Sequence, residues 1–299
     1  MTVRRVGPES AAIVLDIVRE AFGSRPPLDP PADALRETES SIATRLALGG
    51  GLVARLDGEP VGALIMDAVG DSVYLRRFGV LTSAQGHGVA GAMIQAASEA
   101  AVGRAWLRVV AREELPRTVG FWAHRGFTQT DRNSPYVELV RPVPSFHHVP
   151  TAEDMRALGA RVAQDLRPGD LVVLTGDLGA GKTTFTQGLG LGLGVQGPVT
   201  SPTFVIAREH ATRGTGPQLV HVDAYRLGGA AELDDLDLDT AFDDAVTVVE
   251  WGEGIAEDLA DSRLQVRISR DPAAGVDPDA EPDPRTVEIL RLGPRWART

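Results

Sequence analysis

The 299-residue chain contains no cysteine. This absence excludes disulfide bonds, thiolate nucleophiles and cysteine-ligated metal sites, and it is typical of a cytoplasmic protein, which is where we expect this chain to act. No apolar run approaches the roughly 20 residues that span a bilayer, and the first residues lack the pattern of a signal peptide. We therefore expect no membrane association.

Lysine is almost absent as well. Of the 30 basic residues, 29 are arginine, and the only lysine is Lys182. A lysine ammonium is a compact point charge, whereas arginine carries a wide planar fork that does not fit the same narrow cradle. The single lysine therefore indicates a position where a compact cation must lie against phosphates.

The length predicts two domains of about 150 residues each, which we place at 1–145 and 146–299. Residues 1–145 carry 16 basic and 16 acidic side chains, whereas residues 146–299 carry 14 basic and 25 acidic ones. The second half, with a net charge of −11, repels a phosphate backbone. This charge argues against broad, direct nucleic-acid binding by that half.

The periodicity predicts an α/β protein with a mixed sheet and helices in each domain. In the first half, Leu52–Leu56 and Val61–Met66 flank Asp57-Gly58, which is a hairpin pattern, and Val73–Val80 predicts a further strand. In the second half, Leu171–Thr175 is apolar and β-branched, as in a buried parallel strand. The remaining predicted strands are Thr2–Val6, Trp106–Val110, Tyr136–Val140, Ala245–Val249, Leu264–Ile268 and Thr286–Leu290, with an acidic loop over 271–284.

The run 176–183, GDLGAGKT, lies between the strand Leu171–Thr175 and a helix that begins near Lys182. Glycines let such a loop wrap with its N–H groups towards phosphate oxygens, and the helix N-terminus favours negative charge. The pattern predicts a P-loop in which Lys182 neutralises the β- and γ-phosphates and the Thr183 hydroxyl ligates magnesium. The alternative is a glycine-rich turn at a helix start.

A P-loop also needs an acidic group at the end of a neighbouring strand. Glu250 ends the apolar run that begins at Ala245, and we expect it on the magnesium, the alternative being a surface glutamate at a strand end. Asp223 is a second acidic candidate, which either orients the attacking water or lies in a nucleotide-sensing segment, the alternative being a salt bridge with Arg226. We expect Lys182, Asp223 and Glu250 to be the catalytic residues.

Five motifs follow one another in the second half: GDLGAGKTTF, VTSPTFVI, HVDAYRL, AELDDLDLD and VVEWGE. Together they resemble the bacterial ATPase subunit TsaE of the tRNA threonylcarbamoyladenosine system, over residues 146–299. The resemblance implies a switch-like segment at Ser201-Pro202-Thr203, with Asp223 and Trp251 near the nucleotide. It implies Mg²⁺ on Thr183 and Glu250, and ATP bound by Leu178, Gly179, Ala180, Gly181, Lys182 and Thr183.

The resemblance also implies partners. These are the TsaD- and TsaB-type subunits of the complex that modifies the adenosine beside the anticodon. The acidic second domain would then bind proteins that hold tRNA, and would meet the tRNA only indirectly.

In the first half, Gln85, Gly86, His87, Gly88, Val89 and Ala90 fit the pattern of a pyrophosphate-binding turn at a strand-to-helix junction. A simple helix-start turn is the alternative. With FWAHRGF at 121–127 and the order of strands, the run resembles the GNAT acetyltransferase fold over residues 1–142. The resemblance implies acetyl-coenzyme A as the ligand.

The first half departs from that family at the positions that carry chemistry. Trp122 stands where a tyrosine commonly protonates the departing thiolate, and an indole does not give up its proton. The strand Val73–Val80 offers Arg76 and Arg77 but no carboxylate base. His87 and His124 are possible proton carriers or exposed helix histidines. We therefore expect acetyl-coenzyme A binding more than any particular acetyl transfer, with an acceptor that the sequence does not identify.

Three hypotheses follow. The first is a GNAT-like domain fused to a TsaE-like ATPase. The second is a P-loop kinase acting on a small molecule, although no arginine-rich lid segment follows the P-loop. The third treats the first domain as a non-catalytic docking module.

Overall fold

A computed structural model describes the chain except for residues 203–205, 215, 230–231, 234–243, 271–283 and 298–299, and the side chain of residue 258. Contacts between Cα atoms divide the chain into two compact units, Met1–Val143 and Pro144–Arg298. Each unit contains a seven-stranded mixed sheet with helices among the described residues. The predicted α/β class is therefore confirmed for both halves.

The first unit has the strand order β1-β2-β3-β4-β5-β7-β6, with all neighbours antiparallel except β4 and β5. Its elements are β1 (Thr2–Val6), α1 (Ala11–Gly23), α2 (Glu39–Gly49), β2 (Gly51–Leu56), β3 (Glu59–Val69), β4 (Ser72–Val80), α3 (Val89–Ala100), β5 (Trp106–Arg112), α4 (Pro116–Ala123), β6 (Thr128–Asn133) and β7 (Tyr136–Pro142).

The hairpin of β2 and β3 forms as predicted. Asp57 and Gly58 both take positive φ, at 51° and 91°, which is the conformation that a two-residue hairpin turn requires. Successive residues of the sheet then face opposite layers. Val53 and Ile65 pack with α1 and α2, whereas Leu52 and Leu64 pack with α3 and α4.

The second unit has the strand order β10-β11-β12-β9-β13-β14-β8. Its four central strands, β11, β12, β9 and β13, are parallel. Its elements are β8 (Ser145–Val149), α5 (Ala152–Ala163), β9 (Leu171–Thr175), α6 (Lys182–Leu193), β10 (Ala207–His210), β11 (Gln218–Asp223), β12 (Ala245–Glu250), β13 (Arg263–Arg270) and β14 (Arg285–Leu292).

The parallel strands bring three chain segments to one edge of the sheet. In the register of β11 and β12, Asp223 lies opposite Glu250, and in that of β12 and β9, Glu250 lies opposite Leu174. All six residues of β12 are buried, so its carboxylate ends a strand covered on both faces. The ends of β9, β12 and β11 therefore define one site beside the loop that follows β9.

The helices α5 and α6 pack with their backbones almost in contact. A Cβ placed on Gly188 would lie 2.2 Å from the carbonyl O of Arg156, and one on Gly159 would lie 2.3 Å from the carbonyl O of Phe185. Such distances leave room for a hydrogen atom but not for a methyl group. Glycine is therefore a packing requirement where these helices cross.

Two predicted features lie largely outside the described residues. They are the AELDDLDLD segment at 231–239 and the acidic loop at 271–284. Among the described helices, none is long and apolar enough to cross a membrane.

Candidate functional site: a phosphate-binding loop beside a strand-end carboxylate

The loop between β9 and α6 owes its shape to glycine. Gly176, Gly179 and Gly181 take φ values of 149°, 76° and 109°. Residues with a Cβ adopt positive φ only at a cost. At Gly176 there is also no room, because a Cβ would lie 2.4 Å from the carbonyl O of Ile268.

The start of α6 leaves its N–H groups available. Gly181 is the N-cap and supplies no side-chain acceptor to the first turn. The first four N–H groups of a helix have no partner within the helix, and the helix dipole favours an anion there. The loop and the helix end, at residues 176–183, therefore have the shape and the N–H donors that could hold a phosphate group.

Lys182 lies folded across this loop. Its Nζ donates to the carbonyl oxygens of Gly176 at 2.7 Å and Asp177 at 2.9 Å, and lies 3.8 Å from the centre of the Trp251 ring. Burial lowers the pKa of the Lys182 ammonium, and nearby carboxylates oppose part of that effect. The ammonium therefore lies against the loop, held by carbonyl acceptors that phosphate oxygens could replace.

Thr183 and Glu250 meet directly. The Thr183 hydroxyl donates to Oε1 of Glu250 at 3.0 Å, and Glu250 is only 3% exposed. A hydroxyl and a carboxylate are both oxygen ligands, the kind that Mg²⁺ takes, and Mg²⁺ is usually bound through one or two protein groups plus substrate phosphates and water. The donor set of this pair fits that cation.

Asp223 is buried beside Glu250. Its Oδ1 accepts from the backbone N–H of Tyr225 at 3.1 Å, and its Oδ2 accepts from the Ser201 hydroxyl at 3.3 Å. The structure therefore connects the strand end of β11 to the segment 201–203, of which Ser201 and Pro202 are described and Thr203 lies outside the described residues.

Two aromatic residues lie at the same edge of the sheet. The rings of Tyr225 and Trp251 have centroids 5.1 Å apart, and Tyr225 is 64% exposed. Trp251 takes a φ of 61°, which is unusual for a bulky residue, directly after Glu250. The resemblance implies a place near the nucleotide for Trp251, whereas no local pattern indicated a role for Tyr225, although it lies within the HVDAYRL motif.

Arg285 and His221 also contact the site, although neither was predicted from the sequence. Arg285, at the start of β14, donates to the carbonyl oxygens of Ala180 at 3.2 Å and Gly179 at 3.5 Å. It lies more than a hundred residues from the loop, and no local pattern indicates the contact. His221 is fully buried in β11, with its Nε2 2.9 Å from Oε1 of Glu250. A histidine within the otherwise apolar run Leu219–Val222 was the available signal.

In the first unit, the predicted pyrophosphate turn precedes α3. Gly86 and Gly88 take φ values of 82° and 75°, and Gly88 is the N-cap of the helix that begins at Val89. His87 is exposed, and its Nδ1 lies 3.1 Å from the carbonyl O of Gln85. The turn thus presents backbone N–H groups at a helix N-terminus, between Gln85 and Ala90.

The strands next to this turn separate. The pairing of β4 with β5 covers only Ser72–Tyr74 and Trp106–Arg108, although both strands continue beyond it. The register of β3 and β4 shifts near Arg77, which takes a φ of 54°. The sheet therefore opens between β4 and β5 beside the N-terminus of α3.

A carboxylate does reach β4, but it comes from elsewhere in the chain. Glu37 accepts from Arg77 at 2.6 and 2.7 Å, lies 3.4 Å from Arg45, and accepts from the Ser41 hydroxyl. Burial raises the pKa of Glu37, but these hydrogen bonds and charges outweigh it and leave the pKa below its ordinary value. Glu37 is therefore an ion-pair partner rather than a ready general base.

Trp122 belongs to the core. It is 5% exposed, and its ring meets those of Phe78, Phe121 and Phe127 edge-on at about 5 Å between centroids. Such tilted and edge-to-face contacts are the stable arrangement for aromatic rings. His124 is exposed, and its Nδ1 lies 2.6 Å from the carbonyl O of Gly120, at the end of α4.

The second unit thus has the features that define a P-loop nucleotide-binding domain: a buried strand, a glycine loop, a helix headed by lysine and threonine, and a carboxylate at a neighbouring strand end. The family described as threonylcarbamoyl adenosine biosynthesis protein TsaE matches residues 149–275. An acetyltransferase (GNAT) domain matches residues 48–129.

Similar proteins carry the same description. The chain is 60% identical over 144 residues to the tRNA threonylcarbamoyladenosine biosynthesis protein TsaE of Streptomyces coelicolor, covering 48% of this chain and 94% of that protein. It is 41% identical over 145 residues to the TsaE protein of Bacillus subtilis, covering 48% of this chain and 84% of that protein. The chain therefore belongs to the TsaE family, and it carries a GNAT acetyltransferase domain in addition.

Two solved structures are each similar to about half of the chain. A crystal structure of Bacillus YdiB covers 51% of this chain and 88% of its own, at 34% identity and a TM-score of 0.40. The PaiA N-acetyltransferase of Thermoplasma acidophilum, in complex with coenzyme A, covers 46% and 96%, at 12% identity and a TM-score of 0.42.

Proposed function

We propose that this chain is a magnesium-dependent ATPase of tRNA threonylcarbamoyladenosine biosynthesis, with a second domain that binds acetyl-coenzyme A. The observation that carries the first part is the convergence of Lys182, Thr183 and Glu250 at one sheet edge, within a domain 60% identical to a TsaE protein.

In this proposal each residue of the site has a separate task. The loop amides between Leu178 and Thr183 hold the phosphates, and Lys182 exchanges its carbonyl partners for phosphate oxygens. Thr183 and Glu250 would hold Mg²⁺, which when bound neutralises charge on the phosphates. Asp223 lies next to Glu250 and orients the attacking water.

The proposed partners are proteins rather than RNA. Residues 146–299 carry 25 acidic and 14 basic side chains, which disfavours direct contact with a phosphate backbone. We therefore propose that the domain acts through TsaD- and TsaB-type subunits that hold the tRNA, and that it does so in the cytoplasm.

Complementation tests this function. The full chain should restore threonylcarbamoyladenosine in the tRNA of a bacterial strain depleted of its TsaE protein, and Lys182→Ala should not, because nothing else in the loop supplies the phosphate-facing ammonium. Leu191→Ala, an exposed change on the same helix, is the control that should complement. Restoration by Lys182→Ala would overturn the assignment of the site.

An ATP-turnover assay with the full chain distinguishes this function from that of a small-molecule kinase. ATP turnover by the full chain should rise when TsaD- and TsaB-type subunits are added, since in this proposal the domain acts through them. Turnover that ignores the subunits and rises with a small hydroxyl acceptor would favour the kinase.

For the first domain, the glycine turn at Gly86–Gly88 and the opening between β4 and β5 support acetyl-coenzyme A binding. Calorimetric titration of the full chain with acetyl-coenzyme A should show one site. No detectable heat at millimolar ligand would instead support a docking module.

A further inference from the structure

A buried histidine lies directly behind the metal-binding carboxylate of the proposed site. His221 has no solvent-exposed surface, and its Nε2 is 2.9 Å from Oε1 of Glu250. A carboxylate only accepts hydrogen bonds, so the imidazole must donate its Nε2–H. The pair thus resembles an outer-sphere contact that orients a metal ligand.

The hydrogen bonds of Glu250 are distributed unevenly between its two oxygens. Oε1 accepts from both His221 at 2.9 Å and Thr183 at 3.0 Å. Among the described residues, no hydrogen bond is made to Oε2. The histidine therefore fixes which oxygen of the carboxylate stays available to a cation.

We infer that His221 is a positioning residue for Glu250: it holds Oε1 from inside the sheet so that the carboxylate keeps one orientation when nucleotide and Mg²⁺ arrive. This inference rests on the proposed ATPase function. His221 acts through Glu250 and does not contact the nucleotide.

The neighbouring strand supplies a matched comparison. In the register of β10 and β11, Arg208 lies opposite His221, so His210, two residues along, shares its sheet face. His210 is 6% exposed, and its Nε2 has no hydrogen-bond partner within the described part of the chain. It is thus a buried histidine on the same face that does not contact Glu250.

Three variants of the full chain test the inference. His221→Leu removes the donor, His221→Gln keeps an N–H group near the position of Nε2, and His210→Leu controls for the loss of a buried histidine. Calorimetry would measure ATP affinity with and without Mg²⁺. The ratio of the two affinities is the magnesium-dependent gain in ATP affinity of each variant.

Loss of a residue that orients a metal ligand typically costs about 10–100-fold in metal affinity. We therefore expect His221→Leu to lose at least about tenfold of the magnesium-dependent gain while metal-free ATP affinity is kept. His221→Gln should recover most of the gain, and His210→Leu should keep it. A gain in His221→Leu equal to that of the wild type, or an equal loss in His210→Leu, would overturn the inference.

The wild-type chain provides a test that does not depend on the folding of any variant. Nitrogen-15 spectra of labelled histidine should show His221 as the Nε2–H tautomer, and a proton on Nδ1 alone would refute the contact. The proposed function has a separate test. A wild-type chain that shows no magnesium-dependent ATP binding would refute the ATPase function, whichever tautomer His221 adopts.

Discussion

The crossing of α5 and α6 gives a prediction whose size follows from the geometry. In Gly188→Ala the new methyl carbon would lie 2.2 Å from the carbonyl O of Arg156 and 2.8 Å from its Cα. Ordinary contact begins near 3.4 Å, so the two helix backbones must separate by about 1 Å. Neither atom belongs to a flexible side chain, so local rotation does not relieve the clash.

Two opposing energies decide the outcome. Alanine in place of glycine inside a helix gains up to about 1 kcal/mol, whereas overpacking a closely packed site costs about 1–3 kcal/mol and sometimes more. At Gly188 the distance falls far below ordinary contact and the atom it meets belongs to the backbone. We therefore expect the free energy of unfolding to fall by about 1–2 kcal/mol. In a unit of this size that lowers the midpoint of thermal unfolding by about 2–8 °C.

Calorimetric unfolding of the full chain measures this shift, and ATP titration of the same samples reports whether the loop moves with α6. Gly91→Ala in α3 is the matched control, because a Cβ there meets nothing within 4 Å and should stabilise its own unit. If Gly188→Ala is as stabilising as Gly91→Ala, the close approach of the two helices is refuted.

Two further substitutions test the two halves. Glu250→Gln should lower magnesium-dependent ATP hydrolysis at least about tenfold while ATP still binds, because the amide keeps an acceptor oxygen but loses the charge that Mg²⁺ needs. Glu253→Gln, at an exposed ion pair with Arg267, should leave the rate unchanged, and equal rates in both variants would remove Glu250 from the metal site. Trp122→Ala should destabilise the first unit by about 3–5 kcal/mol, as for other buried aromatic residues. Val102→Ala, at an exposed position, should have little effect on the same unfolding curve, and a mild effect of Trp122→Ala would contradict its place in the core.

Local patterns predict those parts of the site that a short segment forms by itself. The loop 176–183 carries its own geometry in its glycines, and a run of β-branched residues before Glu250 marks a strand end. Because parallel strands end at the same edge, the meeting of Glu250 with Thr183 follows from the class of fold. These residues therefore follow from sequence and general physics together.

Sequence patterns did not predict two elements of the first unit that have little apolar periodicity, the helix α2 and the strand β6. The helix α2 buries only Ile42 and Leu46, and it begins at a capping box between Thr38 and Ser41 that carries no strong sequence signal. The edge strand β6 reads TQTDRN and has no buried residue, so its pairing with β7 determines its conformation. Tertiary context, rather than propensity, decides such segments.

Sequence patterns also do not predict contacts between residues that are far apart in the chain. Glu37, which precedes α2, contacts Arg77 across 40 positions, and His221 contacts Glu250 on the neighbouring strand across 29 positions, and no motif specifies either contact. The same is true of Arg285 at the phosphate loop. Each of these partners contacts a residue that the sequence analysis names, so local patterns indicate the candidate residues but not the distant side chains that hold them in place.

The burial of Lys182 has a practical consequence for spectroscopy. Because it is the only lysine of the chain, nitrogen-15 labelling of lysine yields a single side-chain ammonium resonance. That ammonium lies 3.8 Å from the face of Trp251, where the ring current shifts its protons, and it is shielded from rapid exchange with water. One signal would then follow nucleotide arrival in the intact chain, without a foreign label.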